Sequence, residues 1–162
     1  LHLSETDIGF FDSHARFDPP LRSESDQQAL RSAVAEGLAV VCSDHTPVDE
    51  DGKQLPFGEA LPGAIGLELL LPLVLKWAEE EKVSLLTALS RVTCDPAAIL
   101  GIDAGSIGIG KPADICVFDP QESWRVSLET LRSQGKNTPC MGWEVRGRVC
   151  ATLVSGRVVF ER

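Results

Sequence analysis

An acid and a histidine, Asp44 and His45, directly follow the apolar run from Leu38 to Cys42. A short run with β-branched residues predicts a buried strand that delivers polar side chains at its carboxyl end. That end is where α/β barrels keep their catalytic groups. Asp44 is therefore either a catalytic carboxylate or a strand-end aspartate that caps the following turn. Alternation along the strand turns His45 to the opposite side, which favours packing or support over metal ligation.

A helix and a long loop flank the predicted strand. Ser23 or Ser25 can cap a helix from Ser25 to Glu36 that carries apolar residues at helical spacing and is closed by Gly37. After the strand, a polar loop runs from Val48 to Gly63. A loop of that length after a strand is more often functional than idle.

The pattern changes from helical to β along the rest of the chain. We expect helices at 65–81, kinked at Pro72, at 84–93, and at 96–100 with Asp95 as the N-cap. Four short strands follow, at 113–118, 124–126, 149–154 and 157–160, and Ser155-Gly156 should join the last two as a hairpin. We therefore predict an α/β part at 1–104 and a small β part at 105–162.

Composition narrows the function classes. The chain has 162 residues, 43% of them hydrophobic, which suits one domain with a real core. A formal charge of −9 without any basic cluster argues against nucleic acid or an anionic membrane surface as a partner. The longest apolar stretch is too short to span a bilayer.

Five cysteines without C-x-x-C spacing predict buried, reduced thiols in a cytoplasmic protein. Met141 is the only methionine and Leu1 opens the chain, so we expect a fragment or a processed piece.

Five segments in order resemble the carboxyl-terminal portion of a dihydroorotase-like member of the amidohydrolase superfamily. They are Asp18-Pro19-Pro20-Leu21-Arg22, Ser43-Asp44-His45-Thr46-Pro47, Phe57-Gly58-Glu59-Ala60 continuing into Pro62-Gly63-Ala64-Ile65-Gly66-Leu67-Glu68, Gly110-Lys111-Pro112-Ala113-Asp114, and Lys136-Asn137-Thr138-Pro139 with Gly142-Trp143. The resemblance implies an α/β fold, made of the last strands and helices of a metal-dependent (β/α)8 barrel and then part of a small β-sandwich.

The resemblance also implies a zinc site whose other ligands, a His-x-His pair among them, lie outside this chain. Asp44 matches the aspartate that binds the metal and carries a proton from water to the departing amide nitrogen. His2 falls on a position that is usually apolar in the family, so we do not expect it to be a ligand. The loop that contains Ala60, Pro62 and Gly63 is expected beside the substrate.

Two residues depart from the family pattern. Val48 stands where active relatives usually have a histidine, and Asp18 stands where they usually have an asparagine. In those relatives the histidine and the asparagine are associated with the substrate's carboxylate and ring. Valine donates no hydrogen bond, and an aspartate ~4 Å from an anionic substrate repels it by about 4 kcal/mol at an effective dielectric of ~20.

Three functional hypotheses remain open. The first is an enzyme of pyrimidine biosynthesis that interconverts dihydroorotate and carbamoyl-aspartate, in a protein expected to be a homo-oligomer. The second is a non-catalytic dihydroorotase-like subunit that supports an aspartate transcarbamoylase. The third is a related hydrolase for a hydantoin or allantoin-like ring. Asp44 favours the first, whereas Val48 and Asp18 favour the second.

Overall fold

A computed structural model describes residues 1–162. Two 3-10 turns, Glu5–Ile8 and Ser13–Ala15, open the chain. The helices and strands are α1 Glu24–Glu36, α2 Glu50–Lys53, α3 Leu70–Glu80, α4 Leu85–Ser90, α5 Cys94–Leu100, β1 Ile115–Arg125, β2 Glu144–Val154 and β3 Arg157–Glu161.

Helix α1 forms where the capping pattern predicts it. The side chain of Ser23 accepts from the Asp26 amide, and Gly37 ends the helix in the left-handed conformation at φ 81. Its buried face differs from the expected apolar face, because Leu30 is exposed and Arg31 is buried. The guanidinium of Arg31 lies 2.9 Å from Glu80 and 2.6 Å from Glu81, which ties α1 to the end of α3.

The prediction of a strand at 38–42 is wrong, because these residues form no regular secondary structure. Its backbone pairs with no strand. The Val41 amide donates instead to the Arg91 carbonyl at 3.0 Å. A single parallel bridge, from His45 to Ala64, follows it. A strand exists only against a neighbouring strand, and none lies beside this segment.

Helix α3 begins at Leu70, five residues later than predicted. Before it, the Ile65 amide donates to the Asn137 carbonyl at 2.9 Å, and the Leu69 amide closes a turn onto the Gly66 carbonyl at 3.2 Å. Pro72 is the third residue of α3, where a backbone N–H has no intrahelical partner, so the proline removes no hydrogen bond.

Helices α4 and α5 are confirmed as elements, with shifted ends. Ser84 caps α4 by accepting from the Thr87 amide, and α4 ends at Ser90. Helix α5 starts at Cys94, so Asp95 lies inside it instead of capping it. The Asp95 carboxylate pairs with Arg91.

The β region forms one antiparallel sheet in the order β1-β2-β3. The two predicted strands at 113–118 and 124–126 are a single strand, β1, whose register shifts between Asp119 and Ser123. The hairpin through Ser155 and Gly156 is confirmed, with both residues at positive φ, 50 and 80. Helix α3 packs on β2 where Leu75 meets Gly147.

Two hydrophobic clusters form the core. The first joins the segment before α3 to the β region through Ile65, Leu69, Val126, Leu131, Cys140 and Val145. The second joins α1, α3 and α4 through Val34, Val74, Trp77, Ala78 and Ala88. Because the first cluster contains residues from both sides of the predicted 104/105 boundary, the two parts share a core, and the division itself stays a prediction.

Many large apolar side chains remain exposed, among them Phe10, Leu38, Ile107 and Ile109. All five cysteines are free thiols, but Cys42, Cys94 and Cys116 are exposed, so the expected burial is wrong for these three. An apolar run predicts burial only where a second layer covers it, and these positions have none. No helix is long and apolar enough to cross a membrane.

Candidate active site

Asp44 lies at the end of the extended segment that follows α1, with its carboxylate exposed and without a hydrogen bond or ion pair in the chain. Its backbone adopts the left-handed conformation at φ 42, which aspartate tolerates better than most residues. Only its backbone carbonyl is engaged, by the Thr46 hydroxyl at 3.3 Å. The side chain therefore does not cap the following turn.

The pocket beside Asp44 has a volume of about 280 Å³ and a largely apolar lining. Ser43, Ala64 and Gly66 line it next to the aspartate, and Phe17 and Leu21 line it from the segment around Asp18. A carboxylate at the wall of an apolar pocket suits proton transfer to a bound ring.

His45 supports the segment instead of facing the pocket as a ligand. Its Nδ1 accepts the Gly66 amide at 3.0 Å and the Leu67 amide at 3.3 Å. A ring nitrogen that accepts carries no proton, so the proton of the neutral ring is on Nε2. This contact is the supporting role that alternation along the strand predicts.

Two glycines permit the close approach of the 63–67 segment to the 43–46 segment. A Cβ on Gly63, which has φ 125, would lie 2.5 Å from Thr46 Cγ2. A Cβ on Gly66 would overlap the Ser43 carbonyl oxygen outright. Both contacts are with a neighbouring stretch of the chain, which a side chain at either position would push away.

Asn137 is a site residue that the sequence interpretation missed. Its buried side chain donates through Nδ2 to the carbonyls of Thr46, at 3.0 Å, and Gly63, at 3.1 Å. Its Oδ1 accepts the Val48 amide at 3.0 Å. The signal in the sequence is an asparagine inside a segment already matched to the family, Lys136-Asn137-Thr138-Pro139, but its partners are 74 to 91 residues away.

Val48 and Asp18 do not join Asp44 in one cavity. Val48 is half-buried and lines a different pocket, of about 700 Å³, together with Lys53 and Asn137. Asp18 is exposed, between the two residues that line the Asp44 pocket. Their proposed contacts with substrate stay predictions.

The other predicted loop residues lie on hydrogen-bonded backbone. Ala60 is buried, and its amide donates to the Pro56 carbonyl at 2.9 Å. Pro62 is half-buried, and the Gly63 amide donates to the Arg16 carbonyl at 3.0 Å. Lys53 fastens the same loop by donating to the carbonyls of Ser13 and Arg16, and burial lowers its pKa, helped by the nearby Arg16 charge.

Glu68 bridges two distant parts of the backbone. Its carboxylate accepts from the amides of Arg132, at 2.8 Å, and Ser133, at 2.6 Å. This bridge fixes the start of α3 against the loop between β1 and β2.

The chain does not hold a complete metal site. No three histidine, cysteine, aspartate or glutamate side chains lie close enough together to bind an ion. A catalytic zinc needs three protein ligands, and the two unpaired carboxylates among the candidate site residues, Asp44 and Asp18, do not line the same cavity. His2 donates through Nε2 to the Leu73 carbonyl at 2.8 Å, and burial lowers its pKa to about 4.

Comparison with known proteins gives consistent matches over almost the whole chain. Residues 1–159 match the Amidohydrolase family. A dihydroorotase of Geobacter metallireducens is 40% identical over 161 residues, which is 99% of this chain and 38% of the relative. A dihydroorotase of Geobacter sp. strain M21 is 39% identical over 160 residues. The chain thus spans less than two fifths of the length of these relatives.

Among solved structures, an L-hydantoinase (dihydropyrimidinase) from Arthrobacter aurescens superposes with a TM-score of 0.89 and 28% identity. The match covers 99% of this chain and 37% of that protein. It confirms the predicted fold, the last strands and helices of a (β/α)8 barrel followed by a small β region.

Proposed function

The chain belongs to the amidohydrolase family, and on that basis we propose that it acts within a longer protein that opens or closes a cyclic amide. Dihydroorotate is the proposed substrate, because the relatives at 39 to 40% identity are dihydroorotases over nearly all of this chain. The reaction would interconvert dihydroorotate and carbamoyl-aspartate in pyrimidine biosynthesis, in the cytoplasm.

The free carboxylate of Asp44 carries this proposal. No residue of the chain hydrogen-bonds or pairs with it, so both of its oxygens can accept hydrogen bonds from a bound molecule. As water attacks the ring carbonyl, Asp44 would accept the proton that the water loses. It would then pass that proton to the ring nitrogen as the carbon–nitrogen bond breaks.

The proposed metal is zinc, and this chain would supply one ligand, Asp44. The remaining ligands would come from a segment outside the chain, because no cluster of ligating side chains lies within it. The proposal therefore applies to the full-length protein and not to the 162 residues by themselves.

A second candidate is a hydrolase for a hydantoin or allantoin-like ring. Val48 favours it, since the valine side chain cannot read a substrate carboxylate and its amide is already committed to Asn137. The superposition on a hydantoinase is consistent with this substrate class.

A third candidate is a non-catalytic subunit that supports an aspartate transcarbamoylase. Val48 and the exposed, unpaired carboxylate of Asp18 support it, because both weaken recognition of an anionic substrate. In this case Asp44 would be dispensable.

Zinc analysis of the full-length protein and turnover of dihydroorotate test the proposal. Asp44→Asn should lower kcat by roughly 10²- to 10⁴-fold, the usual contribution of a general acid–base residue. Asp103→Asn is the control, since Asp103 is an exposed carboxylate paired with Lys111. Metal-free protein, or equal rates for wild type and Asp44→Asn, would contradict the proposal that the protein is a zinc-dependent enzyme.

Parallel assays separate the alternatives. Turnover of hydantoin with none of dihydroorotate supports the second candidate. Absence of any turnover, together with loss of aspartate transcarbamoylase assembly when this protein is removed, supports the third.

A further inference from the structure

We infer that Asn137 is a positioning residue that sets the geometry of the segments carrying Asp44 and Gly63. This inference rests on the proposed function, because it assigns Asn137 a part in the same reaction. It goes further, because it assigns control over the position of Asp44 to a residue in the loop between β1 and β2. That loop is far from Asp44 in sequence.

The position of the Asp44 carboxylate depends on its backbone. The side chain makes no hydrogen bond in the chain, and the residue has the left-handed conformation at φ 42. Its placement is therefore set by how residues 45 to 48 are held. Their anchors are the His45 imidazole, the Thr46 amide bonded to Ala64 at 2.8 Å, and the side chain of Asn137.

The Asn137 amide joins both sides of this arrangement. Nδ2 donates one hydrogen to Thr46 and the other to Gly63, so it links the segment after Asp44 to the loop beside the expected substrate. Oδ1 accepts the Val48 amide, and the Asn137 backbone carbonyl accepts the Ile65 amide. Four bonds from one residue hold the two segments together.

Asparagine is the only residue type that makes this set of bonds at this length. Aspartate has the same size but presents a second oxygen to the carbonyls of Thr46 and Gly63. Glutamine has the same groups on a longer stem. Because Asn137 is 4% exposed, water cannot replace a bond that is lost.

Kinetics of the full-length protein test the inference. Asn137→Asp should lower kcat/KM for dihydroorotate roughly 10- to 100-fold near pH 8, because small displacements of a catalytic group are costly. The loss relative to wild type should shrink as pH falls, since a protonated carboxyl can donate to one of the two carbonyls. Val34→Ala is the control, because it truncates a buried side chain in the cluster between α1 and α3.

Val34→Ala should lower thermal stability while kcat/KM per folded molecule stays unchanged. A purely structural role for Asn137 would make Asn137→Asp behave in the same way at every pH, and that result overturns the inference. A pH-dependent loss that Val34→Ala does not show supports it.

Hydrogen exchange of backbone amides tests, without an activity assay, whether Asn137 holds the two segments together. In Asn137→Ala, the amides of 45, 46, 48 and 63–65 should exchange faster than in wild type, whereas those of α1 should not change. Unchanged exchange at 45, 46 and 48 overturns the inference. If wild type turns over no substrate, the proposed function fails, and exchange alone then decides whether Asn137 holds the two segments.

Discussion

The imidazole Nδ1 of His45 accepts the backbone N–H of Gly66 at 3.0 Å, beside the point where Gly66 presses against the Ser43 carbonyl. The residue after the candidate catalytic aspartate is thus bound to the segment that precedes α3. The contact and the hydrogen bond join the same two stretches of backbone, 43–45 and 66–67. One stretch therefore cannot shift without the other.

Replacing His45 should separate acceptance of this hydrogen bond from ring packing. His45→Leu leaves two amides without their acceptor and should lower the free energy of unfolding by about 1 to 2 kcal/mol. His45→Asn provides an oxygen in place of Nδ1 and should recover part of the loss. Urea unfolding of the full-length protein measures both. Equal stability of His45→Leu and wild type would show that the bond contributes nothing.

The closeness of Gly66 to Ser43 predicts a strong effect of a single methyl group. In Gly66→Ala the new Cβ would overlap a backbone carbonyl, which cannot rotate away, so the cost should be about 1 to 3 kcal/mol or more. Gly58→Ala is the matched control, because a Cβ there meets nothing within 4 Å. Thermal unfolding of the two variants should differ clearly; similar midpoints would contradict the close packing.

His2 predicts a loss of stability in mild acid. Burial lowers its pKa from 6.5 to about 4, against the opposing effect of the bond to Leu73. As the pH falls, His2 in the unfolded chain therefore binds a proton near pH 6.5, whereas His2 in the folded chain binds one only near pH 4. Stability is full above that window and falls as the pH drops through it, by up to about 3 kcal/mol.

His2→Gln keeps an N–H for the Leu73 carbonyl but cannot titrate. Its free energy of unfolding should change less than that of wild type between about pH 7 and pH 4.5. Parallel curves for the two proteins would mean that His2 does not contribute. Glu80, 3.8 Å from Nδ1, and the nearby Arg31 charge are unchanged in the comparison.

Local signals in the sequence predict the elements whose causes are local. Ser23 and Gly37 bound α1, Ser84 begins α4, and Ser155-Gly156 makes the hairpin, each through bonds within a few residues. The structure differs from the prediction at 38–42 and at the start of α3, because distant partners decide both. Val41 bonds to Arg91, and Ile65 bonds to Asn137.

The same distinction applies to the site. The candidacy of Asp44 and the supporting role of His45 follow from residue type and alternation along one segment. Asn137 does not, because an asparagine in a loop has no local feature that reveals bonds to Thr46, Val48 and Gly63. Arg31 was missed for a similar reason, since burial of a charge on α1 depends on Glu80 and Glu81, which are about 50 residues away.

The contact between Gly147 and Leu75 limits how helix α3 and the sheet can evolve. Gly147 has φ 91, and a methyl of Leu75 occupies the place that a Cβ would need. A β region borrowed from another protein would fit under α3 only if it brought a glycine at this position, or if Leu75 became smaller at the same time. The sheet and the helix above it must therefore be inherited as a matched pair.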